Sequence, residues 1–177
     1  MPVFNPTGIV VFDTETTGLN PYSDEIIQFS ACDGDGKTLL NTYIRPVFHD
    51  EWLEASKVNN IYPETVKDAP TIDHIAGLIK GVLASADRML IGYNTGFDLA
   101  FIGQFYNPSD DVQIIDAMKM FALIYGEWND YYGDYQWQTL STAANYYNYK
   151  FKVHDSMEDV KATLFVYQKI IANKRKK

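Results

Sequence analysis

The sequence predicts an α/β fold in which one mixed β-sheet is flanked by helices. Two patterns carry that expectation: three strand-like runs follow one another as a meander, and beyond them strand-like and helical periodicities alternate. A length of 177 residues, with no internal repeat and no linker-like stretch, suits one domain over residues 1–173 followed by a basic tail, Lys174–Lys177.

Ile9, Val10, Val11 and Phe12 form a continuous apolar run ending at Asp13, as in a central strand buried on both faces. Asn20-Pro21 and Ser23 then break the chain. Glu25–Asp33 and Lys37–Arg45 are strand-like and joined by Gly34-Asp35-Gly36, a hairpin signal, so the first three strands are expected to be sequential and antiparallel. The lone cysteine, Cys32, falls in an apolar stretch of the second strand and reads as a buried thiol. Helical spacing follows over Asp50–Asn59 and Thr71–Ser85; in the latter Ile72, Ile75, Ala76, Ile79, Val82 and Leu83 share a face. Arg88–Tyr93 is the fourth strand, and Thr95–Phe105 a helix turning Phe97, Ala100, Phe101 and Phe105 inward before the Asn107-Pro108 break. A fifth strand, Val112–Ile115, precedes helices over Asp116–Tyr125, Gln138–Tyr147 and Asp155–Ala172.

The formal net charge is −8, and because the last four residues are all basic the rest of the chain carries −12. Such a balance argues against a broad basic face for long nucleic acid, so any polynucleotide role must use a small footprint or bound cations. No stretch approaches the roughly 18 to 20 apolar residues of a membrane span, and the first residues lack a signal-peptide layout, so a soluble, cytoplasmic protein is expected. Tyr125–Tyr149 holds nine aromatic residues, with Gly126, Asn129, Asp130 and Gly133 marking a loop. Packing of the last helices onto the sheet is the favoured reading of those rings; stacking on single-stranded bases is the alternative.

Three segments carry the chemistry. Asp13 and Glu15 flank one residue at the end of the first strand, so period-2 geometry points both carboxylates to one side. Like charges this close call for a proton or a hard cation, although a polar strand terminus would read the same way. Asp98 stands in the first turn of the helix after the fourth strand, where strand ends and helix starts share a crevice; a first-turn Asp compensating the helix dipole is the plainer reading. In His154-Asp155-Ser156-Met157-Glu158-Asp159, Asp155 and Glu158 have capping-box spacing, leaving His154 just outside the helix and Asp159 about one turn inside it.

Taken together, Phe12-Asp13-Thr14-Glu15-Thr16-Thr17-Gly18, Asn94-Thr95-Gly96-Phe97-Asp98 and His154 five residues before Asp159 resemble the three motifs of the DEDDh 3′→5′ exonuclease family, to which the proofreading epsilon subunit of bacterial DNA polymerase III is similar. Asp155 occupies the position where the tyrosine form of the third motif would carry Tyr. Ile61–Val66 with Ala69-Pro70 resembles the family's connecting segment, and the likeness runs from about Ile9 to Tyr167. The resemblance implies a ribonuclease-H-like fold with a five-stranded mixed sheet and two Mg²⁺ or Mn²⁺ ions held by Asp13, Glu15, Asp98 and Asp159, with His154 as general base. It implies release of nucleoside monophosphates from 3′ ends of DNA, single-stranded or frayed, or of RNA, and a DNA polymerase as a partner. Thr16, Thr17, Leu19 and Asn94 would meet the terminal nucleotide, Leu19 as an apolar wedge or else covering the core edge. Asp116 resembles an Asp often seen in the family but reads equally as a helix N-cap, and stands outside the metal set. Two departures from the family's usual letters stand out: Tyr93 replaces a His, and Asn59-Asn60 replaces His-Gly, both assigned to substrate contacts rather than to the five core residues. The competing reading is a polymerase-associated or scaffold subunit that keeps the fold with little activity, which would not require all five.

Overall fold

The computed structural model describes residues 5–152 and 155–174. A five-stranded sheet in the order β3-β2-β1-β4-β5 is built from β1 (Ile9–Thr16), β2 (Ile26–Asp33), β3 (Thr38–Tyr43), β4 (Met89–Gly92) and β5 (Gln113–Asp116). β1–β2 and β2–β3 pair antiparallel, while β1–β4 and β4–β5 pair parallel, so the meander and the mixed sheet are as the sequence predicts. The first strand is longer than its apolar run because Asp13 and Glu15 remain paired with β2, opposite Ser30 and Gln28, so both carboxylates sit on the strand rather than beyond it.

Period-2 alternation in β1 divides the core. Val10 and Phe12 face α3 (Ile72–Leu83) and α4 (Thr95–Ile102), packing among Ile79, Val82, Leu83, Phe101 and Ile102. Val11 faces α7 (Ser156–Lys174), packing with Cys32, Ile91, Met157, Val160 and Leu164. Cys32 is fully buried and burial pushes its thiol up to about 12, consistent with a structural role. The remaining helices are α1 (Leu53–Asn59), α2 (Pro63–Val66), α5 (Ala117–Tyr125) and α6 (Leu140–Tyr146).

Several helices are shorter than their periodicity suggested. Asp50–Trp52 stay outside α1, where Trp52 Nε1 donates to the Ile61 carbonyl at 2.7 Å instead of starting a helical turn. α4 stops at Ile102 rather than Phe105, and α6 begins at Leu140 rather than Gln138, because Thr139 caps it by accepting from Thr142 N. α7 runs on to Lys174, whereas the sequence reading ended it at Ala172; the rest of the basic tail lies outside the described residues. The short α2 and a hairpin, β6 (Trp128–Asn129) with β7 (Asp134–Tyr135), were not expected; the latter occupies what had been read as loop. No helix among the described residues is long and apolar enough to cross a membrane.

Candidate active site

β4 is the short strand that makes room for a site. Val11 is the last β1 residue paired with β4, opposite Ile91, and β4 ends at Gly92. Past that point the β4-facing edge of β1 would carry unsatisfied backbone groups. Asp98 fills the gap: its Oδ1 accepts from the Thr14 backbone N at 2.9 Å and from Thr14 Oγ1 at 2.6 Å. The turn that delivers Asp98 is tight. A Cβ on Gly92 would lie 2.8 Å from Thr95 Oγ1, which is itself committed to the Ile115 carbonyl at 2.7 Å, so only glycine fits there. Asn94 adopts a left-handed conformation, φ 71°, and its backbone N reaches Asp116 Oδ1 at 3.4 Å. Asp116 also accepts from Met118 N and Lys119 N, which makes it the N-cap of α5, as its helical reading proposed.

Asp13 and Glu15 share the α7 face of β1, opposite in sense to Thr14. There they meet Asp159, and one carboxylate oxygen from each of Asp13, Glu15 and Asp159 lies within 4.8 Å of the others. Ser156, the first residue of α7, donates from Oγ to Asp13 Oδ2 at 3.2 Å. Asp98 approaches from the α4 face and lines the same crevice of about 270 Å³ with Tyr93, Phe97, Leu140 and Phe151. Three of the four expected ligands thus converge tightly, and the fourth joins them across the open end of the sheet. His154 lies outside the described residues.

Burial and mutual repulsion act in one direction on these acids. Asp13 is held well above the ordinary carboxylate range by burial first, then by the charges of Asp98, Glu15 and Asp159, with the Ser156 hydrogen bond opposing. Glu15 is pushed up to about 7 by burial and the Asp159 charge, against a hydrogen bond from Asn59. Asp98 also rises to about 7, through burial and Asp116, against its two bonds from Thr14. An all-oxygen, acidic, half-buried donor set that resists ionising by itself suits a hard divalent cation.

The lip after β1 is held in shape by its own hydroxyls. A register shift between Glu15 and Thr16 re-aims the chain. Thr16 Oγ1 then donates to the Gly18 carbonyl at 2.6 Å, and Thr17 Oγ1 accepts from Glu25 N at 2.9 Å, so both hydroxyls shape the lip itself. Leu19 is 83% exposed, which excludes the core-edge reading and leaves it projecting from the lip. Asn59 is the residue whose importance the sequence understated. It is buried beside the site, hydrogen-bonds Glu15, donates from Nδ2 to the Thr16 carbonyl at 3.3 Å and accepts from Ile61 N at 3.0 Å. Its departure from the family's His was the available signal, but a contact with one of the core acids required the fold.

The five-stranded mixed sheet, with an acidic crevice at the open end of its central strand, is the ribonuclease-H-like arrangement expected from the sequence. The family model described as Exonuclease (RNase T) matches residues 10–167, and the chain belongs to that family. Among curated relatives, a DNA polymerase III PolC-type protein of Caldanaerobacter subterraneus is 28% identical over 170 residues, covering 92% of this chain and 11% of the relative. The PolC-type protein of Staphylococcus aureus is 27% identical over the same length and coverage. The chain therefore spans about a tenth of the length of these relatives. Among solved structures, a zinc-ion-bound complex of E. coli exonuclease I with single-stranded DNA superimposes with a TM-score of 0.75 at 19% identity, covering 96% of this chain and 41% of that one. A second complex of that enzyme, with an oligonucleotide, gives a TM-score of 0.76 at 20% identity, covering 95% and 42%.

Proposed function

We propose that this chain is a 3′→5′ exonuclease that removes nucleoside monophosphates one at a time from single-stranded or frayed 3′ ends of DNA, or of RNA. The observation that carries the reading is the convergence of Asp13, Glu15 and Asp159 from β1 and α7, with Asp98 reaching the same crevice from α4. In the reaction a water oxygen attacks the phosphorus of the terminal linkage, the bond to the 3′ oxygen of the preceding nucleotide breaks, and that oxygen is protonated. Asp13, Glu15, Asp98 and Asp159 are the residues that would hold two Mg²⁺ or Mn²⁺ ions, which when bound supply positive charge to the scissile phosphate and make water acidic enough to attack. Ser156 fixes the Asp13 carboxylate, Thr14 fixes that of Asp98 and Asn59 that of Glu15, so the acids need little rearrangement. His154, five residues before Asp159, is the general base: a neutral imidazole nitrogen takes the water's proton near neutral pH. Thr16, Thr17, Leu19 and Asn94 form the side that meets the terminal nucleotide, Leu19 as the projecting apolar group. Association with a DNA polymerase is supported by PolC-type relatives in which a matching segment is part of a much longer chain.

Incubation of end-labelled single-stranded DNA and RNA with Mg²⁺ or Mn²⁺, alongside Asp13→Ala and His154→Ala, tests this. A ladder shortening only from the 3′ end, abolished in Asp13→Ala, is expected. Intact substrates with either metal, or equal cutting by Asp13→Ala, would refute it.

A further inference from the structure

The crevice of about 270 Å³ is at the small end for a ligand site and has room for little more than the end of a strand. The rest of the polymer must lie on the surface, and a net charge of −8 argues against a broad basic face to hold it. Beside the crevice, however, stands an unusual group of rings. The β6–β7 hairpin carries Tyr131 and Tyr132 at 87% and 75% exposure, with Trp128 and Trp137 about half exposed. We propose that this hairpin is a stacking platform for bases of single-stranded nucleic acid on the 5′ side of the cleaved end, and the proposal rests on the exonuclease reading above.

Three features favour bases over other occupants. The hairpin is built to a fixed shape: Asn129 donates from Nδ2 to Gln136 Oε1 at 2.6 Å and accepts through Oδ1 from Tyr131 N and Tyr132 N at 3.0 and 3.2 Å. Its rings meet edge to face, Tyr131 with Tyr132 at 90° and Trp128 with Tyr135 at 88°, so neither pair is stacked face to face and at most one ring face in each pair is covered by its neighbour. The platform is continuous with the crevice, because Tyr93 Oη, from the crevice wall, donates to the Gln138 carbonyl at 2.8 Å, and Thr139, Leu140 and Ser141 immediately beyond line the crevice. Stacking is the non-electrostatic way for an acidic protein to hold a strand, and every base has a face to offer. Lys119, 5.5 Å from the Trp137 ring centre and 3.9 Å from Asp116 Oδ2, stands beside the platform and can exchange its carboxylate partner for one phosphate.

Tryptophan fluorescence reads this directly, since two of the three tryptophans, Trp128 and Trp137, are on the hairpin and the third, Trp52, is buried. Titration with an oligothymidylate of about twelve nucleotides in EDTA separates binding from cleavage. Quenching is expected in the wild type, with affinity weakened about tenfold or more in Tyr131→Ala/Tyr132→Ala. Phe48→Ala, which removes a ring as exposed as Tyr131 but outside both the hairpin and the lip, should bind as wild type. If stacking carries the binding and Lys119 adds one phosphate contact, log affinity should fall against log salt with a slope of about −0.7. Absence of quenching, unchanged affinity in the double variant (as for a protein-docking face), or a slope of about −3 or steeper would overturn the platform. Quenching without any nuclease activity in Mg²⁺ would sink the exonuclease reading instead.

Discussion

Glu15→Gln should stabilise the metal-free protein while destroying its activity. Burial and the neighbouring Asp159 charge raise Glu15 from an ordinary value of 4.5 to about 7, so the folded state keeps the proton to higher pH than the unfolded chain does. The cost is absent below about pH 4.5, grows as the pH rises toward 7, and is constant above. At about pH 7.5 it amounts to about 3 kcal/mol, from a gap of some 2.5 units at about 1.4 kcal/mol each, less the partial protonation that remains. Glutamine keeps a carbonyl oxygen for the Asn59 hydrogen bond and removes the charge. In a chain of this size about 3 kcal/mol corresponds to a rise in Tm of roughly 6–12 °C. The assay is thermal or urea denaturation of both proteins in EDTA across about pH 4.5 to 7.5, repeated with excess Mg²⁺. The gain should appear only toward the upper end of that range and should shrink or reverse with Mg²⁺, because the wild type then has its charge compensated. A Glu15→Gln protein no more stable than wild type at high pH in EDTA, or equally stabilised at both ends of the range, would refute the reasoning.

Other variants test other parts of the site. His154→Ala should lower kcat by about a hundredfold or more with little change in Mn²⁺ affinity by calorimetry, since a base is lost and no ligand is. Asn59→Ala removes buried hydrogen bonds to the Thr16 carbonyl and Glu15; denaturation should show a loss of about 1–3 kcal/mol, and kcat should fall about tenfold, with weaker Mn²⁺ binding. Glu25 is held below its usual range by hydrogen bonds from Val47 N, His49 Nδ1 and Phe48 N, which outweigh its burial. Its contribution is therefore present above about pH 4.5 and lost as the pH falls through the lowered folded value, so the Tm gap between wild type and Glu25→Gln seen at neutral pH should close as the pH is taken well below 4.5.

Much of the molecule is legible in the order of its residues. The Ile9–Phe12 run, the Gly34-Asp35-Gly36 turn and the later alternation of strands and helices specify the mixed sheet, because strand and helix periods and turn chemistry are local properties. The side-by-side placement of Asp13 and Glu15 follows from the two-residue period alone. The aromatic segment was only half legible: packing rings such as Tyr147 and the exposed Tyr131 and Tyr132 have the same composition, and their fates depend on which backbone the hairpin turns outward. Asp98 needed more than its own segment. Its carboxylate reaches the acids on the opposite face of β1 only because β4 ends at Gly92 and leaves the Thr14 backbone N for it to accept. Asn59 was marked only as a departure from the family's usual letter, since its bonds to Thr16 and Glu15 join groups more than forty positions apart. The sequence by itself determined which chemistry the chain carries; the tertiary structure decided which neutral groups hold the acids in place, because that depends on where strands stop and which distant backbone is left unpaired.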